Sequence, residues 1–389
     1  MSEIKVNSIK GVGASAAAIT VNNTDGSCAV NNTQRQGKNL IINGAMQVAQ
    51  RGTSSTSDSY ATVDRFKKDS GGFDEAITQA QVDVASGTTP YTLGFRKALK
   101  FTNGNQTSGA GATDYVQIGY SPEAQDIANS GWNYLSSSSN ITFSFWAKAS
   151  VAQTYQVRIS SKDGTSQGFV FEYALSADTW TKITKTIPGN SNLQFDNDNG
   201  NGMEITFLMF VGTTYTSANP TLDAWTTYSY LTSRKDMAST WWTTNDATFE
   251  LTGVQLEVGS VATDFEHRPF QEEQQLCYRY FQHHLKTTDE GYTMCWRTAS
   301  DVQGGFQFFR EMRSTPTATL KGLNAHIMTG GGNVDMTGMT LGLGYSQPKL
   351  TAATVQFTAS SGQGTAGDAC PLHGLNGATI KGFYLDSEL

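Results

Sequence analysis

The chain has 389 residues, of which only 16% are charged, and its formal net charge is −7. A protein that binds nucleic-acid phosphates needs clustered Lys and Arg, so this composition argues against nucleic-acid binding. No segment resembles a membrane span, and the N-terminus MSEIKVNSIKGVG lacks the apolar core of a signal peptide. Abundant Gly, Phe and Tyr are typical of short strands joined by turns, and predict an all-β chain with two domains and an appendage.

Residues 1–38 contain three short strand-like pieces, at 4–9, 17–21 and 27–30. Each offers two or three apolar side chains, which are too few to offset an ordering cost of roughly 1–2 kcal/mol per residue. We therefore expect this arm to dock on a partner or to wind with copies of itself in a homo-oligomer. The alternative is an unpinned tail, since chain termini are often unpinned.

Residues 39–268 are predicted to form one jelly-roll β-sandwich, because apolar and polar residues alternate along several segments separated by turn signals. The clearest alternation lies at 141–145, 155–159, 169–175 and 203–211. A short helix is expected after Ser121, where Pro122 and Glu123 suit a first turn. The alternation changes phase across Gly253, which predicts a β-bulge there.

Pro269 favours the start of a short helical linker over 269–277, because a first helical turn does not need the missing N–H. Residues 278–389 are then expected to form a smaller C-terminal β-sandwich domain. The Gly- and Met-rich stretch 322–350 suits long, adaptable loops at its distal end. Candidate strands lie at 278–285, 292–297, 305–312, 317–320, 353–358 and 379–385.

Four segments resemble bacteriophage tail-fibre and related tail proteins: NLIINGAMQVAQRGTS at 39–54, ITFSFWAKAS at 141–150, TGVQLEVGSVATDFEHRPFQEEQQLCYRYF at 252–281 and FYLDSEL at 383–389. The resemblance implies a carbohydrate-binding-module-like sandwich followed by a C-terminal receptor-binding tip. It also implies a homotrimer in the virion tail, made in the host cytoplasm and attached through residues 1–38 to other tail proteins. The expected partner is a host surface glycan or protein receptor. The segments indicate no particular ligand.

An aromatic run between 225 and 242 is the candidate glycan surface, because sugar C–H faces pack on aromatic planes beside hydrogen-bonding groups. The same side chains could instead fill the core or a subunit contact. In the C-terminal domain, four polar or aromatic residues in or near the Gly-rich loops are candidate receptor contacts. The candidate ligand-binding residues are Asp223, Trp225, Tyr228, Trp241, Trp242, Asn245, His326, Asn333, Tyr345 and His373.

The Asx- and Gly-rich run at 196–202 is a candidate Ca²⁺ loop, with Asp196 and Asp198 as ligands, although such runs also form plain turns. No cofactor is otherwise expected. The sequence contains no Gly-x-Ser-x-Gly or His-Glu-x-x-His motif, and its acidic pairs are typical of surface positions, so we expect a binding protein that is not an enzyme. Two alternatives stay open: a tailspike that degrades surface polysaccharide, and a purely architectural tail protein.

Overall fold

The computed structural model describes residues 37–287, 291–326, 332–342, 351–362, 364–375 and 377–389, together with strands in the N-terminal arm. Those strands, β1 Ser8–Ile9, β2 Ile19–Val21 and β3 Cys28–Val30, form an antiparallel sheet in the order β1-β2-β3. Each falls within one of the three strand-like pieces predicted from the sequence. The other residues of the arm up to 36 lie outside the described residues.

The next twelve strands form the two six-stranded antiparallel sheets of a sandwich. The first sheet has the order β12-β9-β15-β7-β6-β4 and the second has the order β14-β11-β10-β13-β8-β5. The strands are β4 Ser54–Ser55, β5 Phe66–Gly71, β6 Thr78–Asp83, β7 Lys97–Thr102, β8 Tyr115–Tyr120, β9 Asn140–Ala149, β10 Gln153–Ser161, β11 Gln167–Leu175, β12 Thr181–Pro188, β13 Met203–Val211, β14 Trp225–Thr227 and β15 Thr248–Val258.

The core of the sandwich lies between these two sheets. Because side chains alternate with a period of two, every strand turns one of its two faces into this core. The ring of Phe207 on β13 lies 5.9 Å from that of Phe143 and 5.0 Å from that of Phe145, both on β9 of the opposite sheet. The alternating residues at 155–159 and 169–175 also have buried apolar members in this core. The predicted all-β sandwich is confirmed.

Helices among the described residues are short and lie between strands: α1 Thr89–Thr92, α2 Ala124–Ala128, α3 Thr240–Thr243, α4 Phe270–Cys277, with a 3₁₀ turn at Thr213–Tyr215. The helices expected after Ser121 and over 269–277 correspond to α2 and α4. None of the helices in the described part of the chain is long and apolar enough to cross a membrane.

The predicted bulge at Gly253 is present on β15. The register between β15 and β9 shifts between Thr252 and Gln255. Gly253 has a φ of +63°, and a Cβ atom there would lie 2.7 Å from the ring of Phe95. A side chain at this position would therefore meet both backbone strain and a steric clash.

After α4, the C-terminal strands are β16 Phe281–His284, β17 Gly291–Trp296, β18 Asp301–Gln307, β19 Thr317–His326, β20 Asn333–Leu341, β21 Ala352–Ala359, β22 Ala369–Gly374 and β23 Gly382–Asp386. They pair in the order β16-β23-β19-β20-β21-β18-β17-β22, and β22 pairs again with β19. Six strands therefore close into a barrel with β23 and β16 as an extension, where a second sandwich was expected. Closure sends all inward side chains, including Val302, Leu323 and Phe357, into one core.

The expectation of long loops over 322–350 is corrected by the same barrel. β19 extends to His326, and β20 occupies 333–341, with Val334 and Met336 buried on its inner side. In the closed barrel each of these strands has a paired strand on both sides. This pairing makes their glycine and methionine residues compatible with strand structure. Residues 327–331 and 343–350 lie outside the described residues.

The two modules meet at a cluster of charges in which every member except Asp386 is buried or nearly so. Arg51 lies 2.8 Å from Asp386 and 3.3 Å from Glu388, and Arg65 also pairs with Glu388. The side chains of Arg65 and Glu388 are 0% and 4% exposed, and Asp64 lies 3.9 Å from Arg51. We call Arg51, Asp64, Arg65, Asp386 and Glu388 the joint. It ties the C-terminal end of the barrel to the N-terminal part of the sandwich.

Helix α4 and its flanks form a second set of contacts between the modules. Arg279 donates two hydrogen bonds to Glu123 at 2.6 and 2.8 Å. Within the sandwich, Arg268 just before α4 donates to the backbone carbonyls of Asn39 and Ile41 and so fixes the chain where it enters this helix. Residues 39–54, 252–281 and 383–389 supply most of the groups in both sets of contacts. Three of the four segments that resemble tail proteins therefore hold the modules together.

Candidate functional site

The three tryptophans of the aromatic run lie in the core. Trp241 and Trp242 are both 0% exposed on α3, and their indole N–H groups donate to the carbonyls of Thr248 and Gly109 at 3.1 and 2.9 Å. Trp225 is 9% exposed and its ring packs 5.5 Å from that of Phe169. Their burial corrects the prediction that they contact a glycan.

Asp223 and Asn245 lie on separate surface turns. Asp223 is exposed and forms an ion pair of 2.6 Å with Lys185 on the first sheet. Asn245 is exposed in the turn between α3 and β15. Since the tryptophans between them are buried, these two residues do not frame one binding surface.

Tyr228 lies next to a candidate site on the outward face of the second sheet, with its hydroxyl 3.5 Å from Arg234 Nη2, but does not line the site itself. A cleft of about 180 Å³ opens there beside it, lined by Asp69, Tyr115, Gln117, Val211, Tyr215, Tyr230 and Arg234. We call this the cleft. It combines three tyrosine rings with charged and amide groups, which is the kind of lining that small polar ligands need.

Strand pairing brings the floor of the cleft together. Asp69 on β5 lies directly opposite Gln117 on β8, and Tyr115 follows on the same face of β8. Tyr115 Oη donates to Asp69 Oδ1 at 3.1 Å, and Gln117 Nε2 donates to Asp69 Oδ2 at 2.6 Å. Both carboxylate oxygens therefore have a fixed partner, which holds the two donors in place.

The segment 212–236 supplies the other wall, because it folds across the outward face of β10. Gln156 exchanges hydrogen bonds of 2.8 and 3.2 Å with the backbone of Lys235, and is only 1% exposed. Ser217 N donates to the carbonyl of Arg234 at 2.8 Å. The ring of Tyr215 meets that of Tyr115 edge-on, with 5.9 Å between centroids.

A buried charge network lies beneath this wall. Arg158 on β10 pairs with Glu204 at 2.7 Å, donates to Thr206 at 2.6 Å and also donates to the hydroxyl of Tyr228. Burial by itself would raise the pKa of Glu204, but the charges of Arg158 and Lys162 lower it to about 2. Glu204 is therefore a fixed anion that holds Arg158 in position.

Tyr115 is a neutral hydrogen-bond donor to Asp69. Burial, followed by the charge of Asp69, raises the pKa of Tyr115 to about 12, so its hydroxyl stays protonated at neutral pH. With its proton donated to Asp69, the phenol can accept a hydrogen bond at its oxygen and offer its ring face to a C–H surface. The cleft can thus bind a hydroxyl-rich, ring-shaped ligand.

Sequence reasoning missed most of these residues. Three of them lie at alternate positions of short strands: Asp69, Tyr115 and Gln117. Alternation shows which residues of one strand share a face, but it does not show which strand pairs with it. Tyr215 and Arg234 are 19 positions apart in an irregular segment and meet only because that segment folds over the sheet. Tyr230, also in the cleft, belongs to the aromatic run that the sequence singled out.

The C-terminal candidates partly converge at one end of the barrel. His326 on β19 lies opposite Asn333 on β20, and the neighbouring Asn324 lies opposite His373 on β22. His373 Nε2 is 3.4 Å from Asn333 Oδ1. Tyr345 and the side chain of His326 lie outside the described residues.

The candidate calcium loop is held by local hydrogen bonds and by the barrel. The backbone N–H of Asp196 donates to Asp163 at 2.9 Å, and Asp198 accepts from the N–H of Gly200 at 2.8 Å. Arg313 donates to the carbonyl of Asn199 at 2.9 Å. Within the ranges the structure covers, no three His, Cys, Asp or Glu side chains are grouped to hold a metal. Calcium binding at Asp196 and Asp198 stays a prediction.

No protein-family model and no curated protein sequence matches this chain. Among solved structures, the enzymatically active domain of bacteriophage CBA120 tailspike protein 4 is 9% identical with a TM-score of 0.32, over 57% of this chain and 22% of that one. The module TmCBM61 in complex with β-1,4-galactotriose is 8% identical with a TM-score of 0.30, over 57% of this chain and 100% of that one. The N-terminal cellulose-binding domain of Cellulomonas fimi β-1,4-glucanase C is 12% identical with a TM-score of 0.27, over 55% and 100%.

Proposed function

We propose that this chain is an attachment protein of the phage tail-fibre type, and that its sandwich binds a host-surface glycan through the cleft. The observation that supports this most is the cleft itself. It places the rings of Tyr115, Tyr215 and Tyr230 around hydrogen-bonding groups that are already held in position. A sugar needs this combination because each ring presents both apolar C–H faces and hydroxyl groups.

The proposal includes attachment through several weak sites. A shallow cleft of about 180 Å³ offers little contact area to one sugar chain. Linking copies in a homotrimer through residues 1–38 would raise the overall avidity by about a hundred- to ten-thousandfold without a new contact. The same arm would attach the fibre to other tail proteins in the virion. The barrel end near Asn333 and His373 would offer a second contact surface on the receptor.

Binding without catalysis is part of the proposal. Glycoside hydrolysis commonly uses two carboxyl groups about 5–10 Å apart across the bond that is cleaved. Asp69 is the single carboxylate among the described residues that line the cleft, and Tyr115 and Gln117 occupy both of its oxygens. A polysaccharide incubated with the full chain should therefore release no new reducing ends. Their release would instead support the tailspike alternative.

The binding test uses the purified full chain on an array of bacterial surface glycans. The wild type should bind a subset of them, and the double variant Tyr115→Ala with Tyr215→Ala should lose that binding. Asn245→Ala is the control, because Asn245 is an exposed turn residue away from the cleft. Equal binding by the wild type and the double variant would show that the cleft is not the site.

Two further measurements separate the proposal from an architectural role. The purified chain should adsorb to host cells and compete with phage adsorption, since an attachment protein must recognise the cell by itself. The mass of the particle in solution should be that of three chains. A monomer that fails to adsorb would support the architectural alternative.

A further inference from the structure

Arg234 is a buried guanidinium that forms no ion pair with a carboxylate among the residues that the structure describes. Three arginines among the described residues are buried, Arg65, Arg158 and Arg234, with exposed fractions of 0%, 3% and 6%. Arg65 pairs with Glu388, and Arg158 pairs with Glu204. Within the part of the chain that the structure describes, no carboxylate forms an ion pair with Arg234.

The hydrogen bonds of Arg234 are also incomplete. Its Nη1 donates to the carbonyl of Tyr230 at 2.9 Å, and its Nη2 lies 3.5 Å from the hydroxyl of Tyr228. Its buried Nε has no acceptor among the described residues, as is also true of the Nε atoms of Arg65 and Arg158. Burial and the nearby charge of Arg158 lower the pKa of Arg234 to about 10, so the group is still charged at neutral pH. An unpaired buried charge is unfavourable in the free protein.

This cation lines the cleft. The volume of about 180 Å³ is below the roughly 300–1,000 Å³ of pockets for drug-sized ligands, so the cleft suits a single sugar ring. Arg234 approaches that space from the wall opposite the sheet, while Asp69 on the floor is already held by Tyr115 and Gln117. The two Nη groups carry four N–H bonds and make two contacts, at 2.9 and 3.5 Å, so they can still donate to a ligand in the cleft.

We propose that the cleft selects a sugar residue that carries an anionic group, which pairs with Arg234 while the tyrosines contact the ring. This inference rests on the proposed glycan binding and adds the chemical class of the sugar. A carboxylate or a sulfate ester could accept from the guanidinium. Asp69 lies in the same cleft and would repel a doubly charged group, which favours singly charged anions of this kind.

The test compares each acidic probe with its neutral partner by calorimetry on the full chain. The probes are oligosaccharides of polygalacturonate, alginate and polysialic acid, each beside its carboxyl-reduced form, and sulfated beside unsulfated galactan oligomers. At least one acidic probe should bind about tenfold or more tightly than its neutral partner, and added salt should weaken that binding. The carboxylate and sulfate pairs distinguish the two sources of the anion.

If neutral probes bind and no acidic probe binds more tightly, this inference is wrong and the proposed glycan binding stands. If no probe of either kind binds, and no glycan on the array binds, both are wrong. If an acidic probe binds, Arg234→Gln should weaken it by about ten- to hundredfold and leave the neutral partner unchanged. Arg96→Gln removes the same charge from an exposed residue just before β7 of the other sheet, and should change neither.

Stability separates ligand recognition from a structural role. Arg234→Gln should leave the urea midpoint unchanged or raised, because it removes an unpaired buried charge. Arg158→Gln should lower the midpoint, because it removes one of the two cations that lie 2.7 Å from Glu204, and the more buried of the two. If Arg234→Gln lowered the midpoint as much as Arg158→Gln, Arg234 would be a structural residue and the inference would be overturned.

Discussion

The joint and the cleft are both built around buried arginines, but they treat the charge differently. In the joint, Arg65 is buried against Glu388, so the cation and the anion neutralise each other inside the protein. In the cleft, Arg234 is nearly as buried but forms no ion pair with a carboxylate among the described residues. A buried arginine with an ion pair can therefore connect two modules. A buried arginine that lines an open cleft without an ion pair is instead suited to bind the charge of a ligand.

The recognisable sequence segments lie on the structural side of this comparison. Arg51 belongs to the segment 39–54, and Asp386 and Glu388 belong to FYLDSEL at 383–389. These segments describe how the sandwich and the barrel are connected. The cleft draws its lining from strands and a covering segment outside these motifs, which explains why the resemblance indicates a protein class without indicating a ligand.

The largest effect is expected from breaking the joint. Arg65→Met leaves Glu388 buried without its closest partner and should lower the free energy of unfolding by about 3–5 kcal/mol, measured by urea denaturation. Lys97→Met is the matched control, because Lys97 forms an exposed pair with Asp83 at 2.6 Å and its loss should change stability by about 1 kcal/mol or less. If the two variants lowered the free energy of unfolding equally, the joint would not be a major stabilising contact.

The stability that Asp64 contributes to the joint should decrease as the pH rises. Burial raises the pKa of Asp64 to about 6, against the opposing charge of Arg51 and two hydrogen bonds from Gln50. The folded state therefore binds this proton more tightly than the unfolded state, whose Asp pKa is about 3.9. The resulting stability is fully present below about pH 4 and is lost as the pH rises through about 6.

Asp64→Asn tests this sign. Between pH 4 and 7, the stability of the wild type relative to the variant should fall by roughly 3 kcal/mol, the equivalent of two pKa units. Glu204→Gln beneath the cleft should show the opposite sign, because the pKa of Glu204 is lowered to about 2. Its stabilising effect should be present above about pH 4.5 and disappear as the pH falls towards 2. If the stability difference between the wild type and Asp64→Asn did not change with pH, the raised pKa of Asp64 would be wrong.

In the cleft, a smaller change should affect binding and not stability. Tyr115→Phe keeps the ring and removes the hydroxyl that donates to Asp69 at 3.1 Å. We expect glycan affinity to fall by about two- to tenfold, equivalent to about 0.5–1.5 kcal/mol for one hydrogen bond. Calorimetry gives the affinity and urea denaturation gives the stability. A large loss of stability with unchanged affinity would place Tyr115 on the structural side of the comparison.

The smallest effect is expected at Asp223. Its ion pair with Lys185 is exposed, so Asp223→Ala should change the free energy of unfolding by about 1 kcal/mol or less. Glycan binding should be unchanged, because Asp223 does not line the cleft. A loss of binding on the array would return the site to the turn beside Trp225.

Local patterns in the sequence predicted the elements well. Alternation identified the sandwich strands, the phase change at Gly253 identified the bulge, and Pro269 identified the start of α4. These features depend on neighbours a few residues apart, so composition and period are sufficient to find them. The class of the fold and the all-β content of the chain follow from the same local evidence.

The tertiary structure alone decided which faces are covered. A period of two shows that a strand has two faces, but it does not show which face is covered. Distant segments of the chain pack over Trp241, Trp242 and Gln156 and bury them. Barrel closure depends on the pairing of β19 with β22, and the cleft depends on the pairing of β5 with β8. Contacts between residues far apart in the chain leave no periodic signal, so the candidate site was decided by folding and not by any single segment.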